Sequence, residues 1–297
     1  MIAGSADNID RPMPQLIGKF SDLADLGRTG HWRQPELEVN CPEFTESDLD
    51  LLLETDGHSV AHYRFMKLGV AIEPKLMKLL DSDGRLMPER VDSLKAQGIT
   101  IIASRLESKI NAIRDVARDI QRTAGCYVRA VGIASFGSVH GMPRHYDHVD
   151  VFVLQTLGKK RWRFFGGPIE GAGVARKIDE EPEEESATLE IVKGEQLFVP
   201  AGIFHQCDPT DLSFHLAFNL KWPCVLDLLG LKYDAAMASR PELMEPIRWF
   251  GRSDRLREIS ATLHPLLDEF SYSGDLESDL AAWAERCEKR FALRDGE

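Results

Sequence analysis

Between Tyr127 and Trp222 the chain is cut into short apolar runs, YVRAVGIASF, VDVFVLQTL, KRWRFF, LEIVKG, EQLFVPAG and LSFHLAFNL, separated by Gly, Pro and acidic residues. Runs of this length bounded by turn residues read as strands. So many short strands in about a hundred residues imply an antiparallel sandwich or jelly roll. The flanks have a different texture. CPEFTESDLDLLLET, PKLMKLLDSDG and SRLESKINAIRDVARDIQRTAG read as helices, the last with Leu106, Ile110, Ile113, Val116 and Ile120 at three- and four-residue steps and Gly125 as its stop. After Pro223 come RSDRLREISATLHPLLDEF and DLESDLAAWAERCEKRFAL, the latter striped by Leu276, Leu280, Trp283, Cys287 and Phe291.

The expected organisation is therefore a mostly β core flanked by N-terminal and C-terminal α-helices. Residues 1–30 form an N-terminal arm, 31–125 a helical part packing on the barrel, 126–222 the jelly-roll core and 223–297 a C-terminal helical region. Core packing accounts for the C-terminal stripes. A homodimer through these helices is the alternative.

Charge narrows the partners. A formal net charge of -12 disfavours nucleic acid and anionic membranes, both of which reward a basic surface. The N-terminus lacks a basic stretch followed by a long apolar one, and no apolar run approaches 18 residues, so the expected location is cytoplasmic. Five cysteines, Cys41, Cys126, Cys207, Cys224 and Cys287, are odd in number, widely spaced and free of C-x-x-C pairs, as reduced thiols are.

The segment PRHYDHVD, residues 143–150, holds two overlapping His-x-Asp triplets, His145/Asp147 and His148/Asp150. With nine His and 48 acidic residues in the chain, one such triplet carries little weight by itself. A second region decides between them. In KGEQLFVPAGIFHQ, Gly194, Pro200, Gly202 and His205 have the spacing of a strand and tight turn that delivers a histidine into a β-barrel, and this resembles the second motif of the cupin superfamily. The first cupin motif then serves as a ruler. Measured from His145/Asp147, its optional Glu falls on Val151 and its turn glycine on Gly158; measured from His148/Asp150, the turn falls on Arg161. Only the first register fits the hairpin VDVFVLQTLGKKRWRFF. Side chains two apart on a strand share a face, so His145 and Asp147 converge while His148 and Asp150 lie opposite, exposed or in support. With His205 they make two imidazoles and a carboxylate. That is the facial set that leaves positions open on non-haem Fe(II) for a cosubstrate and O₂, although zinc accepts the same ligands.

Through HYDHVDVFVLQTLGKKRWRFF and VPAGIFHQ, and more loosely over residues 95–222, the chain resembles the JmjC-type 2-oxoglutarate oxygenases, in particular the cupin-like branch with the ribosomal oxygenases. The resemblance implies a double-stranded β-helix, Fe(II) held by the catalytic residues His145, Asp147 and His205, and 2-oxoglutarate and O₂ as cosubstrates. It makes Lys160, fifteen positions after the first His, the partner of the C5 carboxylate. Parity agrees: Lys160 shares a strand face with Trp162 and Phe164, and Lys159, Arg161 and Arg163 share the other. Asn219 and His215 on the last strand are further cosubstrate candidates. Val131 and Ile133 stand where some members carry an Asn-x-Tyr element, with Ser135 as a substitute. Larger ribosomal oxygenases continue into a winged-helix region, for which the 75 residues after Trp222 are short.

The implied activity is hydroxylation of a side chain in a peptide or protein, coupled to decarboxylation of 2-oxoglutarate to succinate. A small-molecule or precursor-peptide hydroxylase, a lysine demethylase and a non-catalytic cupin-like binding module are the alternatives. The acidic run DEEPEEES, including residues 179–185, is a solvated loop unless it stands at the pocket mouth, where it would favour a basic substrate.

Overall fold

The computed structural model describes residues 45, 49, 60–74, 78–83, 86–167, 169 and 182–224, with scattered helical positions from 227 to 289. The arm 1–30 and the expected helix RSDRLREISATLHPLLDEF lie outside the described residues, as does all of CPEFTESDLDLLLET except Thr45 and Leu49. Leu49 is helical and buried, its N–H bonded to the Thr45 carbonyl. The chain divides into two compact units, one of residues 1–124 and 128–221, the other of 125–127 and 222–297.

The first unit begins with a hairpin, β1 (Tyr63–Lys67) and β2 (Val70–Ile72), followed by α1 (Pro88–Ala96) and β3 (Thr100–Ser104). The expected helical character of residues 31–125 thus gives way to three strands. Tyr63 and Phe65 alternate inward as a half-buried strand requires, and TIIAS is buried almost throughout, a short apolar run that periodicity alone does not distinguish from helix. The described residues of PKLMKLLDSDG are not helical either. Lys78 has φ 52°, Leu80 forms an isolated bridge with Leu86, and the Asp83 N–H is taken by the Asp81 side chain, a local bond that competes with helical pairing. The next helix forms as expected but breaks at extended Ile110 into α2 (Leu106–Lys109) and α3 (Asn111–Ala124), and Gly125 (φ 66°) ends it.

The strands that follow are β4 (Tyr127–Ser135), β5 (Asp150–Leu157), β6 (Lys159–Phe165), β7 (Glu185–Val192), β8 (Gln196–Val199), β9 (Phe204–Pro209) and β10 (Ser213–Lys221). A seven-stranded sheet has the order β2-β1-β3-β4-β10-β5-β8, and a three-stranded sheet the order β7-β6-β9. The β10–β5, β5–β8, β6–β7 and β6–β9 pairs are all antiparallel. One core joins the sheets: Ile102, Ile133, Val151, Val153, Leu197, Val199 and Ala217 from the larger meet Trp162, Phe164 and Ile191 from the smaller. Two facing antiparallel sheets sharing a core fit a jelly roll.

In the second unit, Ser278, Asp279, Ala281–Trp283, Glu285–Cys287 and Lys289 are helical, and Trp283 and Cys287 bury against Tyr127. Leu276, Leu280 and Phe291 of that stripe lie outside the described residues.

The β5–β6 hairpin turns at Gly158, as its spacing predicts. Gly158 has φ 63°, and a Cβ there would lie 2.3 Å from the Leu212 carbonyl oxygen. Gly158→Ala combines left-handed strain with a clash against backbone. A loss of about 1–3 kcal/mol is expected, read as a lower urea midpoint at unchanged m-value.

Candidate metal centre

Pro143 precedes the site and β5 starts only at Asp150, so His145 and Asp147 stand in a loop and not on a strand. The expectation of convergence through strand parity is corrected on that point: a two-residue bridge brings the ligands together. His145 and His205 exchange both backbone hydrogen bonds, His145 N to His205 O at 3.1 Å and His205 N to His145 O at 2.7 Å. Gly202 N donates to the Asp147 carbonyl at 2.9 Å, and Ala201 N to Asp150 Oδ1 at 2.7 Å. Asp150 is buried and supports the turn before His205, whereas His148 is exposed.

One ligand atom from each of His145, Asp147 and His205 lies within 4.8 Å of the other two. Orientation is fixed from behind. His145 Nδ1 lies 2.9 Å from the Pro143 carbonyl oxygen and His205 Nδ1 2.9 Å from that of Ile203. A carbonyl only accepts, so each Nδ1 carries the proton and each Nε2 keeps its lone pair for a metal. Burial pushes His205 down to about 4, aided by His145 and opposed by Asp147, so this imidazole is neutral at physiological pH. Val151 belongs to the apolar core, and no fourth His, Cys, Asp or Glu joins the cluster among the described residues.

Deeper in the same interior, Lys160 is 1% exposed. Its Nζ donates to the Ile133 carbonyl and to His215 Nδ1, each at 3.0 Å. An ammonium has only donors, so His215 accepts at Nδ1 and carries its own proton at Nε2. Burial, with Lys160 and His205 nearby, holds His215 well below 6.5. Burial also brings Lys160 down to about 8, and the neighbouring Cys207 thiol up to about 12. No carboxylate pairs with Lys160 among the described residues. A buried cation in a neutral shell is a receptor for an anion.

The other candidates are placed less uniformly. Ser135 is buried and accepts from the Thr100 hydroxyl at 3.2 Å, while Asn219 is half-buried on β10 opposite Val151. Sequence reasoning left Asp150 open between exposed and supporting, and it missed Thr100, hidden in a stretch read as helical. It also missed Arg144, whose guanidinium lies 3.7 Å over the Phe165 ring and donates to the Pro182 carbonyl at 2.6 Å.

Residues 105–228 match the family model described as JmjC domain. The match covers under half of the chain. The bifunctional lysine-specific demethylase and histidyl-hydroxylase NO66 of Aedes aegypti is 28% identical over 169 residues, 54% of this chain and 26% of the relative. Ribosomal oxygenase 2 of Rattus norvegicus is 36% identical over 109 residues, 32% of this chain and 23% of the relative. The chain thus spans about a quarter of the length of these curated relatives. Among solved structures, YcfD, a ribosomal oxygenase from Escherichia coli in complex with cobalt and 2-oxoglutarate, superposes with a TM-score of 0.56 at 13% identity, covering 91% of this chain and 70% of that one. The fold is shared with that protein. In this chain, two lone-pair imidazoles, a carboxylate and a buried cation with no acid partner among the described residues fit Fe(II) and 2-oxoglutarate.

The support behind the ligands is testable without turnover. Asp150→Ala frees the Ala201–Gly202 turn and is expected to weaken Zn(II) affinity about tenfold or more, whereas Asp150→Asn, which still accepts, restores it; metal titration against a chelator reads both.

Proposed function

We propose that the chain is an Fe(II)- and 2-oxoglutarate-dependent oxygenase that hydroxylates an amino-acid side chain of a peptide or protein. Lys160 carries this reading. A structural lysine has no reason to be shut in a barrel without an acid, and one that binds the remote carboxylate of a metal-chelating diacid does. The two antiparallel sheets sharing a core, and the named activities of the NO66 and ribosomal oxygenase relatives, support the same reading.

His145, Asp147 and His205 are the residues that would hold the metal, as three protein ligands. When bound there, Fe(II) supplies the chemistry that couples decarboxylation of 2-oxoglutarate to succinate and CO₂ with insertion of one oxygen atom of O₂ into a C–H bond. Lys160 fixes the far end of the cosubstrate and so its direction. Trp162, Phe164, Ile191 and Leu197 keep the interior dry, which strengthens the Lys160–carboxylate attraction.

The deciding experiment is anaerobic titration of the Fe(II) protein with 2-oxoglutarate, following the visible charge-transfer band of the chelate. A band in the wild type that is lost in Lys160→Ala is expected. Tight zinc binding with no band at any 2-oxoglutarate concentration overturns the reading. The band also carries a pH signature. Lys160 must be protonated to hold the diacid, so affinity falls as pH rises through about 8. The apparent Kd should climb by up to about tenfold per pH unit above that value, and Lys160→Arg should flatten the profile.

The substrate is proposed to be basic. Arg144, next to His145, holds the Pro182 carbonyl, and exposed Glu183 and Glu184 follow directly, so part of the acidic run is anchored beside the ligand loop. Glu183→Gln with Glu184→Gln should raise KM severalfold for an Arg-rich peptide at low salt, leave kcat unchanged and lose its effect at high salt. An unchanged KM rejects the basic substrate and leaves the oxygenase standing.

A further inference from the structure

Trp162 is 4% exposed, and its indole Nε1 is buried with no hydrogen-bond partner among the described residues. A buried tryptophan usually finds one, because a donor desolvated without an acceptor is destabilising. Ring position says where the missing acceptor belongs. Trp162 lies 5.5 Å from His205, a residue of the metal cluster, and 5.5 Å from His215, which contacts Lys160. On β6 it stands two residues from Lys160, facing inward with it. A ligand that reaches from the metal cluster to Lys160 has to pass this ring.

We infer that Trp162 is a cosubstrate-binding residue whose indole N–H donates to a carboxylate oxygen of the 2-oxo diacid lying between the metal cluster and Lys160. The inference rests on the 2-oxoglutarate reading and deepens it. The interior then offers a set of donors: the remaining Lys160 N–H, the His215 Nε2–H and the indole N–H. Each matches an acceptor-only carboxylate, and none needs a second acid in the barrel.

Trp162→Phe keeps an aromatic ring in the core and removes only the donor. The ¹H–¹⁵N spectrum of the Zn(II)-loaded protein identifies the Trp162 indole resonance by its loss in the variant. Adding 2-oxoglutarate to the wild type should move that resonance, and the variant should bind 2-oxoglutarate about tenfold or more weakly at unchanged Zn(II) affinity. Wild-type binding with a stationary indole resonance, or equal Kd values in both proteins, overturns the inference while sparing the oxygenase reading. Parallel loss of zinc affinity in the variant assigns Trp162 to packing and overturns it as well. If 2-oxoglutarate perturbs no resonance of the wild type, both readings fall together.

Discussion

An ammonium group shut inside an apolar barrel with only neutral acceptors is unfavourable by an amount on the order of several kcal/mol, and in this chain the surrounding strand keeps it there. Lys160 sits on β6, which is paired on both sides, to β7 and to β9. Its inward neighbours Trp162 and Phe164 are buried, while Lys159 and Arg163 on the outer face reach Glu190 and Asp208. A register slip that released Lys160 to water would bring Arg161 and Arg163 inward and turn Trp162 and Phe164 out. The aromatic residues therefore hold the cation in place.

The metal cluster depends on the same sheet logic carried over a greater sequence distance. Pairing of β5 with β8 sets Val151 opposite Val199, which leaves Asp150 beside the Pro200–Gly202 turn. From there Asp150 holds the Ala201 amide, Gly202 holds the Asp147 carbonyl, and the His145–His205 bridge closes the pair of segments. Ligands supplied from one loop alone would move with that loop. Here two segments, each leading into a strand, are tied by three backbone bonds and the Asp150 side chain, so the cluster inherits the rigidity of the barrel.

What was legible in the sequence was what period and spacing encode. The inward face of β6 follows from parity, and the turn at Gly158 and the three members of the cluster from motif spacing. What was not legible were features set by tertiary contacts. TIIAS is too short and too uniformly apolar to declare itself a strand, so Thr100 and its bond to Ser135 stayed hidden in a region read as helical. PKLMKLLDSDG has a helical stripe, but the Asp81 side chain captures a backbone amide that a helix would need. Asp150 belongs to the rejected His-x-Asp triplet, left open between exposed and supporting, and the choice is made only when Ala201 is brought to it from 51 residues away.

With 2-oxoglutarate bound at Lys160 as proposed, stability and cosubstrate binding pull in opposite directions with pH. Its folded value of about 8 is below the 10.5 of an exposed lysine. Above 10.5 both states are neutral and burial carries no charge penalty. Between the two values the unfolded chain binds the proton and the folded one does not, so stability falls as pH is lowered through this window, and below about 8 the full desolvation cost is present. That acidic side is where the ammonium is formed and an anion binds best. The free protein is thus least favoured at the pH where the site is ready, and a bound diacid returns part of that cost by pairing with the charge. Ligand-induced stabilisation is accordingly larger at pH 7 than at pH 9, since only a charged Lys160 has an energetic deficit for the carboxylate to offset.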